Sequence, residues 1–84
     1  MFSIRYEKSA EKFLEKLRDK KLQSRILDKI EKLKENPFPK EAKTIEVYGK
    51  AFRVRVGDYR VLYIVDHSIN LIIIVEIDKR ERIY

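Results

Sequence analysis

Three arginines, Arg53, Arg55 and Arg60, stand on either side of a two-residue break in the stretch Phe52-Arg53-Val54-Arg55-Val56-Gly57-Asp58-Tyr59-Arg60-Val61-Leu62-Tyr63. A guanidinium is a permanent cation whose forked donors match the oxygens of a phosphate, so grouped arginines suit binding of a phosphodiester and stabilisation of charge developing on it. Whether they group depends on the turn. Gly57-Asp58 has glycine first, as a type II′ hairpin turn prefers, and predicts Val56 opposite Tyr59, Arg55 opposite Arg60 and Arg53 opposite Leu62. Residues directly opposite share a face, so all three arginines share one, while Phe52, Val54, Val56, Tyr59, Val61, Tyr63 and Val65 make the other face apolar. Like charges placed opposite one another destabilise a sheet, and Arg55 with Arg60 therefore calls for an anion. Lys79, Arg80 and Arg82, near the end of the chain, are expected to add cations around the same concave surface.

Other chemistries lack their residues. The sequence has no cysteine and one histidine, which leaves thiolate and disulfide chemistry out and gives a metal only carboxylates and His67. It has no glycine-rich phosphate loop, no Ser-His-Asp set and no acidic cluster for magnesium. His67 falls in a predicted turn, away from the middle of a sheet, and reads as a surface residue. Any catalysis is expected to run without cofactor, metal or histidine, on Arg, Lys and Tyr. A net charge of +6 with 40% charged residues, acids included, suits a polyanionic partner without making a basic tail.

The elements that must position these residues follow from periodicity. At 84 residues the chain has material for one hydrophobic core and one domain, 1–84. Met1-Phe2-Ser3-Ile4-Arg5-Tyr6 alternates like a strand and lacks the order of a signal peptide, so the protein is expected to stay in the cytoplasm, with no membrane span. Ala10, Phe13, Leu14 and Leu17 form a helical stripe over 9–18 with Ser9 as N-cap. Leu22, Ile26, Leu27, Ile30 and Leu33 form a second, antiparallel helix stopped at Asn36-Pro37. After a loop through Lys43, a short extended piece is expected at 44–48, then strands at 51–56, 59–66 and 71–77. The result is an α+β domain, a helical pair on one face of an antiparallel sheet.

The last hairpin admits two registers. An odd-length turn around His67-Ser68-Ile69 buries Leu71, Ile73, Val75 and Ile77 and sets Glu76 opposite Arg60 on the open face. An even-length turn buries Glu76 beneath the helices, at far higher cost, so the odd register is expected. It leaves Ile72, Ile74, Leu62 and Ile64 on the open face, apolar enough to call for a protein partner.

The arginine stretch, followed after a hairpin by Asp78-Lys79-Arg80-Glu81-Arg82-Ile83-Tyr84, resembles the RelE/ParE toxin superfamily. The strand-helix-helix opening and the Asn36-Pro37 stop extend the likeness over nearly the whole chain. The resemblance implies a RelE-like toxin of a type II toxin-antitoxin system, cleaving messenger RNA in the ribosomal A site by attack of a 2′-hydroxyl on the adjacent phosphate, and silenced by a RelB-like antitoxin. It assigns the phosphate to Arg60, the leaving oxygen to Arg80, with Arg82 as the alternative, and the 2′-hydroxyl to Tyr84; Arg53, Arg55, Lys79 and Arg82 would hold RNA. Free Tyr and Arg, with pKa values of roughly 10 and above 12, are poor proton carriers at neutral pH, so the ribosome would supply the missing geometry. A ParE-like gyrase inhibitor and a catalytically inactive homologue are the alternatives within the superfamily.

Overall fold

A computed structural model describes residues 1–45 and 51–79. Its elements in chain order are β1 (Ser3–Tyr6), α1 (Lys8–Lys16), α2 (Lys20–Leu33), β2 (Lys43–Ile45), β3 (Ala51–Val56), β4 (Tyr59–Asp66) and β5 (Leu71–Lys79). The strands form a five-stranded sheet in the order β1-β5-β4-β3-β2. Pairs within β2 to β5 are antiparallel, whereas β1 runs parallel to β5, so the sheet is mixed. A parallel neighbour needs a long connection, and here the helices together with β2, β3 and β4 lie between β1 and β5. The short piece expected at 44–48 is β2, one residue earlier at its start; positions 46–48 lie outside the described residues.

Both helices bury their stripes on one face of the sheet. Ala10 of α1 and Ile26, Ile30 and Leu33 of α2 join Val54, Val61, Tyr63, Ile72, Ile74 and Ile77 in one core, with α1 lying mainly over β5 and α2 touching β3. Ser9 does not cap α1. Glu7 occupies the N-cap without a side-chain bond, because its backbone N–H is already held by the Ile74 carbonyl at 2.9 Å and the chain enters the helix directly from β1. The helix also ends at Lys16, with Leu17 extended. Asp19, read as part of a polar connection, is the N-cap of α2 and accepts from the Leu22 N–H at 3.1 Å, as a side-chain carboxylate at that position does well. No helix among the described residues is long and apolar enough to cross a membrane.

The last hairpin follows neither register expected for it. Asp66 pairs with Leu71 across a four-residue turn, 67–70, in which Asn70 takes φ 51°, a left-handed conformation that Asn tolerates. Val65 then faces Ile72 and Tyr63 faces Ile74, which buries both isoleucines completely. Between Leu62 and Tyr63 the register shifts: Leu62 pairs with Glu76 and Val61 with Ile77, leaving Val75 as the extra residue of a β-bulge. The bulge lets the turn be even while Glu76 escapes burial. The expected core set Leu71, Ile73 and Val75 is therefore corrected to Ile72 and Ile74, with Ile77 alone retained. The reason is that a single alternation cannot bury Ile72, Ile74 and Ile77 on one side, and one extra residue can.

Tyr63 ties the helix-strand connection to this core. Its hydroxyl donates to the Pro37 carbonyl at 2.7 Å, from a fully buried ring that stacks on Phe52 at 5.8 Å. Burial, with a smaller contribution from the Glu41 carboxylate, raises the phenol's pKa well above its ordinary value. The folded state then holds the proton more tightly than the unfolded chain. Stability is full below the unfolded pKa near 10 and falls as pH rises beyond it, by at most about 1.4 kcal/mol per pH unit from this group. Tyr63→Phe is expected to cost about 1 to 3 kcal/mol at neutral pH, by leaving a buried carbonyl without its donor. The variant should also lose part of the alkaline slope seen in urea melts of the parent; identical slopes would show that folding leaves the proton affinity of Tyr63 unchanged.

Candidate functional site

The β3–β4 hairpin has the pairing read from its turn: Val56 with Tyr59, Arg55 with Arg60, Arg53 with Leu62. Gly57 has φ +60°, and Asn70 is the positive-φ non-glycine residue among those described, so Asp58 is negative and the turn is II′ rather than I′. Val54, Val56 and Val61 are buried toward the helices. The alternation sends Arg53, Arg55 and Arg60 to the face turned away from them.

The three arginines do not share one environment. Arg55 is exposed and Arg53 half-buried, whereas Arg60 is 7% exposed, with its Nε shielded from solvent. An open-face arginine was expected to be exposed; this one is anchored. Its cross-strand neighbour on β5 is Asp78, and Glu76, expected opposite it, stands one pair further along against Leu62, because the bulge advances the register. Arg60 thus lies between a like charge, Arg55, on one side and a carboxylate on the other. Asp78 also accepts the Lys79 N–H at 2.7 Å, which restrains its carboxylate.

Lys79 pairs with Tyr59, a position whose alternation belongs to the helix side, so it is not beside the three arginines in the sheet; it is exposed. Arg80, Arg82 and Tyr84 lie outside the described residues. A cation missed in the sequence is Lys43 on β2, which pairs with Arg53 and extends the arginine row to the sheet edge. In the sequence it ends the expected loop, and no local signal marks so short an edge strand. The apolar open strip is smaller than expected: Ile72 and Ile74 are in the core, Leu62 is 2% exposed, and Ile64 and Ile73 are half-buried partners. His67 is exposed, as expected, and stacks on Phe38 with ring centres 5.6 Å apart.

A row of arginines on one face of a helix-backed sheet, with one of them anchored, defines a small α+β domain equipped to hold a polyanion. Residues 4–84 match the family described as the ParE toxin of type II toxin-antitoxin systems, parDE. The fold superposes on the archaeal RelE–RelB complex of Pyrococcus horikoshii with a TM-score of 0.82 and 29% identity, covering 98% of either chain. It superposes on the RelB–RelE antitoxin-toxin complex of Methanococcus jannaschii with a TM-score of 0.71 and 27% identity, over 95% of this chain and 94% of that one. The RelE1 toxin homologue of Methanocaldococcus jannaschii is 43% identical over 58 residues, 66% of this chain and 64% of that relative's length. The chain belongs to the RelE/ParE family of type II toxin-antitoxin toxins.

Proposed function

We propose that the protein is a ribosome-dependent endoribonuclease that cuts messenger RNA in the A site and is neutralised by a RelB-like antitoxin. The observation that carries this reading is the arginine face: Arg53 and Arg55 flank an Arg60 held nearly buried between Arg55 and Asp78. A cation fixed in place is more useful to a transition state than a mobile one, since its reorganisation is already complete before charge develops. The message's 2′-oxygen forms a bond to the adjacent phosphorus, the bond from phosphorus to the 5′-oxygen breaks, and one strand is left with a 2′,3′-cyclic phosphate and the other with a 5′-hydroxyl. Arg60 stabilises the phosphate oxygens during the transfer. Arg80, or Arg82 in its stead, assists the leaving oxygen, and Tyr84 takes the proton of the attacking hydroxyl; these roles come from the family likeness. Arg53, Arg55 and Arg82 hold the strand, without Lys79, whose position alternates to the other face. No metal or cofactor enters the scheme.

The partner reading rests on the RelB chains in the similar Pyrococcus and Methanococcus structures and on the net charge of +6, which an acidic antitoxin would complement. The cytoplasm is the compartment where both ribosome and antitoxin are met.

The family description as a ParE toxin favours a second reading, inhibition of gyrase without chemistry. One experiment separates the two. Purified protein added to ribosomes carrying a message with a defined A-site codon is expected to yield a cut within that codon and a new 5′-hydroxyl end. An intact message, together with loss of supercoiling by gyrase at the same protein concentration, would replace the first reading by the second.

A further inference from the structure

A second group of cations lies around the corner from the arginine face. Arg25, Lys29 and Lys32 of α2 are spaced by four and three residues, so they share one side of the helix, and with Arg55 they line a cleft of about 300 Å³ beside the β3–β4 turn. The Arg25 guanidinium reaches across that turn, its nitrogens 3.6 Å from where a Cβ on Gly57 would stand. The cationic surface is therefore continuous from α2, over the turn, to Arg55. Two acids temper it: Asp28 lines the cleft, and Glu41 accepts from Lys29, which holds the Glu41 carboxyl below the usual carboxylate range. Arg25, Lys32 and Arg55 are exposed. Because β2 pairs only with Ala51, Phe52 and Arg53, the outer edge of β3 beside the cleft carries no partner strand among the described residues.

We propose that this cleft binds the backbone phosphates of base-paired RNA, while the arginine face takes the single strand to be cut. The inference rests on the RNA-directed reading above. An acidic protein segment is the less suitable occupant, since protein interfaces need buried apolar or aromatic anchors and Val56 is the cleft's one apolar side chain. Arg25 to Lys32 spans about 10 Å along the helix, far enough for its cations to reach successive phosphates of one strand.

The test uses the full chain and a blunt RNA hairpin of about 20 base pairs with no single-stranded tail, followed by fluorescence anisotropy between about 50 and 200 mM salt. Replacing two phosphate-contacting cations in Arg25→Gln/Lys32→Gln is expected to reduce the slope of log affinity against log salt by about 1.8 and to weaken binding at low salt, with an unchanged thermal melt. Arg25→Lys/Lys32→Arg should restore the parent slope, which a merely structural role would not require. An unchanged slope in the Gln pair overturns the proposal, and so does loss of poly-glutamate binding with hairpin binding intact, which would make the cleft a protein site. Cutting of ribosome-bound message by the parent protein is read in parallel. An uncut message with a reduced hairpin slope removes the cleavage reading and keeps the cleft; a cut message with an unchanged slope removes the cleft alone.

Discussion

Arg60→Ala is expected to lower cleavage of ribosome-bound message by roughly a hundred- to a thousandfold, equivalent to about 2.7 to 4 kcal/mol of lost transition-state stabilisation. The burial of Arg60 makes this residue different from Arg53 and Arg55, because its guanidinium cannot be replaced by a neighbouring cation swinging into place. The same burial gives the variant a stability cost. Removing a side chain that is only 7% exposed empties its place in the sheet face, at about 1 to 3 kcal/mol. Arg60→Lys keeps the charge but not the fork that binds two oxygens at once, and should fall between. Cleavage that survives in Arg60→Ala would sink the site, and loss of a cooperative melt in that variant would show that Arg60 serves the fold.

The second large effect concerns the register of β5. Ile74→Ala is expected to destabilise the fold by about 2 to 5 kcal/mol, the usual range for emptying a fully buried isoleucine position, whereas Ile73→Ala, half-buried on the other face, should cost well under half as much. In a domain of this size the total is about 4 to 13 kcal/mol, so Ile74→Ala is expected to be partly unfolded at moderate temperature. Deleting Val75 offers a sharper check. Without the extra residue Ile74 precedes Glu76 directly, and the pairs Tyr63 with Ile74 and Leu62 with Glu76 join into a regular ladder with every side chain on its present face. The deletion should therefore leave a cooperative fold, losing only the local bend and twist that a bulge adds. Urea melts of the three variants decide it: greater loss from Ile73→Ala than from Ile74→Ala would restore the odd register.

These two results also divide what was readable from what was not. The helix stripes and the whole β3–β4 register were legible in the sequence, because each is set by interactions a few residues long, while α2 ends at Leu33, a little before the stop read at Asn36-Pro37. A two-residue turn with glycine first permits one pairing, and the pairing alone puts Arg53, Arg55 and Arg60 on a common face. The family likeness, too, rested on that local stretch. The β4–β5 register was not legible, since a bulge is chosen by the sum of burials along two strands: Ile72, Ile74 and Ile77 all enter the core, and Glu76 stays out, only if Val75 is left unpaired. That choice moved the carboxylate facing Arg60 from Glu76 to Asp78. The parallel seat of β1 beside β5, the edge strand carrying Lys43 next to Arg53, and the reach of Arg25 over Gly57 were likewise decided by tertiary structure. In each case the partners are separated by ten residues or more, and which of them meet depends on how the helices settle on the sheet rather than on any neighbouring side chain.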